Sequence, residues 1–246
     1  MIEVRFMKMK ILDELKIKIF ADGADLNGML EMRKNPLISG FTTNPSLMRK
    51  AGITDYHAFA KEILSHITEH PVSFEVFADE LLEMERQARV IATWGGNVNV
   101  KIPVTNTRGE STAEVISRLS ADGVSLNVTA LTTLEQVAIV RDALSPKSDA
   151  IVSVFAGRIA DTGRDPASIM RDASRLLEDR PGANLLWAST RELFNVFQAE
   201  EAGCHIITVT NDIIAKLSLV GRDLVEYSLD TVKMFYKDAK ESGYSI

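Results

Sequence analysis

The chain has 246 residues, 46% of them hydrophobic, and carries 28 basic against 34 acidic side chains for a formal net charge of −6. That length suits one (β/α)8 barrel domain over residues 1–246, able to bury enough apolar surface to fold without a disulfide or metal staple. The acidic balance argues against nucleic acid as a partner, the single cysteine excludes an internal disulfide and fits a reducing compartment, and no apolar run approaches the roughly 20 residues of a membrane span, so the expected setting is cytoplasmic with no membrane or nucleic-acid partner.

In chain order, a short apolar run and an amphipathic stretch alternate. Residues 1–15 read as an N-terminal extension, with neither the sustained apolar core nor the small-residue cleavage site of a secretion signal. Strands are predicted at 16–22, 37–43, 72–78, 97–103, 123–129, 149–155, 183–189 and 204–210. Helices are predicted at 24–33, 55–69, 79–93, 111–121, 133–144, 166–177 and 191–201, with 211–217 opening the eighth. A further helix over 224–240 falls in a C-terminal segment, 222–246.

The strands are short and β-branched, with little strict polar alternation, as expected of strands covered on both faces of a parallel sheet. Leu81, Met84, Ala88 and Ile91 recur at helical spacing on one face of the third helix. Eight consecutive units favour a closed barrel over an open doubly wound sheet, and no GxGxxG follows the first strand. Gly123, Gly182 and Gly203 fall between helix and strand, where glycine ends a helix in the left-handed conformation. Cys204 reads as a small buried apolar residue. His57, His66 and His70 are assigned to one helical stretch and read as solvated.

The polar residues collect at the C-terminal ends of the strands, where barrel active sites are built. They are Asp22; Thr42, Thr43 and Asn44; Asn127 and Thr129; Ser153 and Arg158; and Ser189 and Arg191, with Glu75 and Lys101 a few residues short of that rim. Lys101 stands out because its neighbours are Val98, Val100, Ile102 and Val104, which share one strand face. Those residues can cover the helix-facing side, and Lys101 then points to the barrel centre with Asn97, Asn99 and Pro103.

Burial disfavours an ammonium and lowers its pKa, and a neutral amine is what imine formation with a ketone requires. Glu75 and Asp22 are placed to exchange protons nearby. Two alternatives stay open: an outward lysine snorkelling past a helix, and a buried structural Lys–Glu pair. No His or Cys spacing suggests a metal ligand set. Arg158 and Arg191 follow adjacent strands and suit an anionic substrate tail, the alternative being two ordinary surface arginines.

These residues resemble the transaldolase family, in its short-chain transaldolase and fructose-6-phosphate aldolase branch. The resemblance runs from about Lys16 to Leu217 and is carried by GFTTNPSL (40–47), VKIPVT (100–105), LNVT (126–129) and FAGRI (155–159). It implies a Schiff-base enzyme with Lys101 as nucleophile and Asp22 as acid/base in carbon–carbon cleavage, while Glu75 and Thr129 position a water. It further implies that Asn44, Asn127 and Ser189 hold the covalent intermediate, with Phe155 beside it, and that Arg158 and Arg191 hold phosphate; Thr43 and Ser153, at the same rim, are expected to bind substrate with them. The implied reaction moves a dihydroxyacetone unit between sugar phosphates and needs no cofactor or metal. Members of this branch often form homo-oligomers, as pentamers or paired pentameric rings. In the aldolase branch the positions of Glu75 and Phe155 hold glutamine and tyrosine. The chain departs from the family pattern at Gly23, Thr190 and the eighth-strand ending ITVTND, all around the mouth of the expected pocket.

Overall fold

The computed structural model describes residues 12–244; most of the expected N-terminal extension lies outside them. Eight parallel strands close in sequential order into one barrel: β1 (Lys18–Asp22), β2 (Ile38–Thr42), β3 (Val72–Glu75), β4 (Val98–Pro103), β5 (Leu126–Leu131), β6 (Ala150–Val154), β7 (Ala183–Trp187) and β8 (Ile206–Thr210). Pairing of β1 with β8 completes the ring and leaves no sheet edge.

The strands are joined by α1 (Leu26–Arg33), α2 (Pro45–Lys50), α3 (Tyr56–His66), α4 (Leu81–Ala92), α5 (Ala113–Ala121), α6 (Leu134–Ala143), α7 (Ala156–Ala160), α8 (Pro166–Leu176) and α9 (Phe194–Glu201), with α10 (Asn211–Ala215) after β8. Side-chain caps explain several starts. Asp25, Asn44, Asp55, Thr133 and Asp165 each accept a first-turn N–H. Each such cap contributes about 1 kcal/mol.

The chain divides into two compact units, and Lys16–Ile214 holds the barrel. Its helix-facing layer is apolar as expected: Val98, Val100, Ile102 and Val104 are buried, as are Met84, Ala88 and Ile91 of α4. Leu81 of α4 is half-buried. Inside the barrel Phe20 packs with Ile151, Leu186 and Ile206. Gly40 on β2 is required there, since a Cβ would come within 2.6 Å of the Phe20 ring.

The other unit includes Ala215 onward, with a 3-10 turn at Lys216–Leu219 and α11 at Leu224–Glu241. No residue of α11 is buried, and Val225, Leu229, Val232 and Phe235 form an exposed apolar stripe. Among the described residues no helix is long and apolar enough to cross a membrane.

Several expectations need correction. The short helices α2 and α7 were not anticipated. The third strand ends at Glu75 rather than at 78, so Glu75 stands at the rim itself. The fifth runs later, to Leu131, through an irregularity where Ala130 takes φ +66°. Gly123 and Gly203 have the left-handed φ expected of helix ends, but Gly182 does not. A Cβ on Gly182 would overlap the Ser148 carbonyl oxygen, so close approach is what selects that glycine. His70 lies beyond α3 and is half-buried, edge-on to Phe41. Cys204 is buried, and burial pushes its thiol up to about 12.

Candidate active site

The barrel's polar inward positions meet at the C-terminal ends of the strands. Parallel register sets Glu75 beside Lys101 and Lys101 beside Asn127 across β3, β4 and β5, and sets Asp22 beside Thr42 on β2 and Thr210 on β8. All of these line one cavity of about 400 Å³.

Lys101 is 6% exposed, despite its charge-bearing end. Its Nζ lies 3.1 Å from Glu75 Oε2 and donates to the Thr43 carbonyl oxygen at 2.8 Å. The snorkelling alternative is thereby excluded. The ion pair alone would serve a structural Lys–Glu couple equally well. A cavity also opens in front of the amine, a feature that a structural pair does not require. The Tyr56 hydroxyl donates to the Glu75 carbonyl oxygen at 3.0 Å and fixes the end of β3.

Asp22 completes the triangle. Burial pushes its carboxyl above the ordinary aspartate range; the Lys101 charge and a hydrogen bond from Thr42 oppose that rise, and the Glu75 charge adds to it. A carboxylate so placed is a stronger base than a solvated one.

Around this centre, Asn127 is locked at both ends of its amide: Nδ2 donates to Ser73 Oγ at 3.0 Å, and Oδ1 accepts from Ser153 Oγ at 2.7 Å. Asn44 caps α2 through Oδ1, which accepts from Leu47 N–H at 3.0 Å, and Pro45 occupies the first helical turn. Asn44 lines the cavity with Thr129 and Phe155. Thr129 Oγ1 is buried without a hydrogen-bond partner among the described residues. It is therefore a polar atom available to a water or a substrate.

The rim carries the two arginines, both exposed. Arg158 projects from α7 and lines the cavity. Arg191 lines it too, and one guanidinium nitrogen is held by Asp161 at the end of α7. Asn195 Oδ1 accepts from the Arg191 backbone N–H at 2.9 Å. Between them Ser189 takes φ +62°, a conformation rarely adopted by a residue with a side chain.

Gly157 makes that turn fit, since a Cβ there would overlap the Ser189 carbonyl oxygen. Gly157→Ala should cost about 1–3 kcal/mol and lower the thermal midpoint by roughly 3–10 °C. Calorimetry checks this, and an unchanged midpoint would show that the Ser189 turn yields freely.

Every side chain singled out in the sequence lines this cavity except Thr43, whose hydroxyl instead donates to the Ser73 carbonyl oxygen at 2.8 Å. Thr43 serves through its main-chain oxygen. Sequence reasoning passed over Ser46, set Thr190 and the ITVTND segment with Thr208 and Thr210 at the pocket mouth without giving them a role, and noted Thr42 only by position. For β8 the signal was present: Thr208 and Thr210 alternate with Ile207 and Val209 and so share the inward face.

The transaldolase/fructose-6-phosphate aldolase family model matches residues 19–246. A probable transaldolase of Dehalococcoides mccartyi is 34% identical over 202 residues, spanning 82% of this chain and 90% of its own. Probable transaldolase 2 of Listeria monocytogenes is 33% identical over 203 residues, 82% of this chain and 88% of its own. A probable transaldolase of Thermoanaerobacter is 31% identical over 231 residues, 94% of this chain and 100% of its own. The crystal structure of 3-hexulose-6-phosphate synthase from Salmonella typhimurium superposes with a TM-score of 0.56 at 16% identity, covering 82% of this chain and 91% of that one, a likeness of fold alone. The family match over nearly the whole barrel, together with relatives above 30% identity, shows that this chain belongs to the transaldolase/fructose-6-phosphate aldolase family.

Proposed function

We propose that this protein is a transaldolase that carries a dihydroxyacetone unit on Lys101 from a ketose phosphate such as fructose 6-phosphate to an aldose phosphate such as erythrose 4-phosphate. The observation that carries this reading is the buried Lys101 amine, paired with Glu75 and facing a cavity that Asp22 also lines.

In this mechanism Glu75 takes a proton from the Lys101 ammonium, and the free amine attacks the C2 ketone. The proton returns, through a water held by Glu75 and Thr129, to the carbinolamine oxygen, which leaves as water. Asp22 then removes the C4 hydroxyl proton. The C3–C4 electron pair passes into the imine, and glyceraldehyde 3-phosphate departs. The three-carbon enamine stays on Lys101, within reach of Asn44, Asn127 and Ser189, with Asn127 held by Ser153. It attacks the acceptor aldehyde, whose oxygen takes the proton back from Asp22. Hydrolysis of the imine frees the product. The steps are complete with groups of this chain, and no cofactor is invoked.

Transfer is favoured over release to water by Glu75 and Phe155, which stand where the aldolase branch resembled by this chain has glutamine and tyrosine. Phe155 packs on the Phe20–Leu186 cluster and brings no hydroxyl to the cavity. Product analysis with and without erythrose 4-phosphate tests the assignment. Glyceraldehyde 3-phosphate should accumulate catalytically only with the acceptor, whereas equal rates without it would mark an aldolase.

Arg158 and Arg191 are proposed to hold the phosphate. Arg191→Ala should raise KM for fructose 6-phosphate roughly tenfold with little change in kcat, as expected for loss of one charge-assisted hydrogen bond. An unchanged KM would place the anion elsewhere. The Asp161–Arg191 pair supports a second reading of the donor, because it partly neutralises one of the two guanidiniums. A singly charged tail such as a sulfonate fits that rim. The exposed stripe of α11 supports assembly as a homo-oligomer, and the net charge of −6 and single cysteine support a cytoplasmic enzyme of small substrates.

A further inference from the structure

Asp22 does not sit alone against the barrel wall. Its Oδ1 accepts from Thr42 Oγ1 at 2.8 Å, and Thr42 Oγ1 lies 2.5 Å from Thr208 Oγ1. The two threonines come from β2 and β8, the strands on either side of β1, and both are buried. A threonine hydroxyl has one hydrogen to give. With that of Thr42 committed to the Asp22 carboxylate, Thr208 must be the donor between the two hydroxyls.

We propose that Thr42 and Thr208 form a two-hydroxyl relay that holds Asp22 ready as a base and reverses direction when Asp22 takes up a proton. This rests on the reading of Asp22 as the acid/base of the reaction. In the base form hydrogens run from Thr208 to Thr42 to Asp22. Once the substrate hydroxyl proton is on Oδ1 of Asp22, they run from Asp22 to Thr42 to Thr208, and the Thr208 hydrogen turns into the cavity that it lines. No heavy atom moves, and no buried oxygen loses its partner in either state. If Thr42 had no second hydroxyl to turn its hydrogen towards, protonation at Oδ1 would set two donors against each other, at the cost of a buried unmade hydrogen bond.

The charged groups facing Asp22 are Lys101 on β4 and Glu75 on β3. The flanking strands offer the cavity only Thr42, Thr208 and Thr210, and β7 offers Leu186 and Ala188, while Arg158 and Arg191 stand on the far rim. The two threonines therefore tune Asp22 through hydrogen bonds, separately from the Lys101 and Glu75 charges.

The test is the pH profile of kcat/KM for wild type, Thr42→Val, Thr208→Val and the double variant. A hydrogen bond to an ionised carboxylate lowers its pKa, so losing it moves the acid limb to higher pH. Thr42→Val should shift that limb up by about one unit, and Thr208→Val by roughly half as much. The double variant should match Thr42→Val, because the chain runs in series, and Thr208→Ser should restore the wild-type profile. Borohydride trapping of dihydroxyacetone on Lys101 should persist in every variant, which separates a shifted base from a misfolded barrel. Wild-type acid limbs in both valine variants, or additive shifts in the double, would overturn the relay while leaving the role of Asp22 intact. Full turnover by Asp22→Asn would overturn the underlying reading instead.

Discussion

Lys101→Met should lose turnover by roughly 10⁴-fold or more, since the residue forms the covalent bond on which every later step depends. The same variant should also be less stable. Glu75 is largely buried, and removing its partner leaves its carboxyl without the counter-charge that it faces in the cavity. Breaking a fully buried pair in this way costs about 3–5 kcal/mol, and the remaining solvent contact of Glu75 places this case toward the lower end. A fall in activity could then be mistaken for a fall in folded protein. Lys101→Met combined with Glu75→Gln resolves the two effects, because a neutral amide needs no counter-charge. The double variant should recover most of the lost thermal midpoint and none of the activity. Activity returning with stability would show that Lys101 is a structural lysine. Lys101→Arg should be equally inactive, because a guanidinium stays protonated and cannot form an imine.

Asp22→Asn should divide function from stability in the opposite direction. Loss of a general acid/base costs typically 10²–10⁴ in rate. The carboxyl titrates above its unfolded value because the fold buries it. Its favourable contribution is complete below the unfolded pKa and is lost as pH rises through the folded pKa, so ionised Asp22 is a burden at neutral pH. Asparagine removes the charge and still accepts from Thr42. The variant should melt at a higher temperature than wild type at neutral pH, and the difference should vanish at low pH where Asp22 is protonated in both states. Thermal unfolding across pH 3–8 checks the sign. A lower midpoint at neutral pH would mean that attraction to Lys101 outweighs burial.

These expectations depend on features that differ in how plainly the sequence displays them. The strands are legible because runs such as VNVKIP and AIVSV are short, β-branched and apolar on the helix-facing side, a signature that survives without any knowledge of neighbours. Lys101 is legible for the same reason, as one charged residue in an apolar strand. The helices α2 and α7 are not legible by periodicity, because five or six residues do not complete two turns. The Asn44–Pro45 pair, a capping residue followed by a proline fit for the first turn, was the available sign.

Other features arise only when distant segments meet. Asp161 finds Arg191 across 30 residues, and the need for glycine at 157 on α7 comes from the Ser189 carbonyl in the loop after β7. The left-handed turns at Ala130 and Ser189 carry no glycine to announce them. Thr43 illustrates a further limit: its motif marks it, yet the oxygen it brings to Lys101 is one that every residue possesses.

The central claim is a covalent bond between substrate and the Lys101 amine, and mass spectrometry after borohydride reduction reads that bond directly. Incubation with fructose 6-phosphate followed by reduction should leave a three-carbon adduct on the peptide containing Lys101, with activity lost in proportion. An unmodified Lys101 in enzyme that still turns over the sugar, or an adduct carried by a different lysine, would contradict the account.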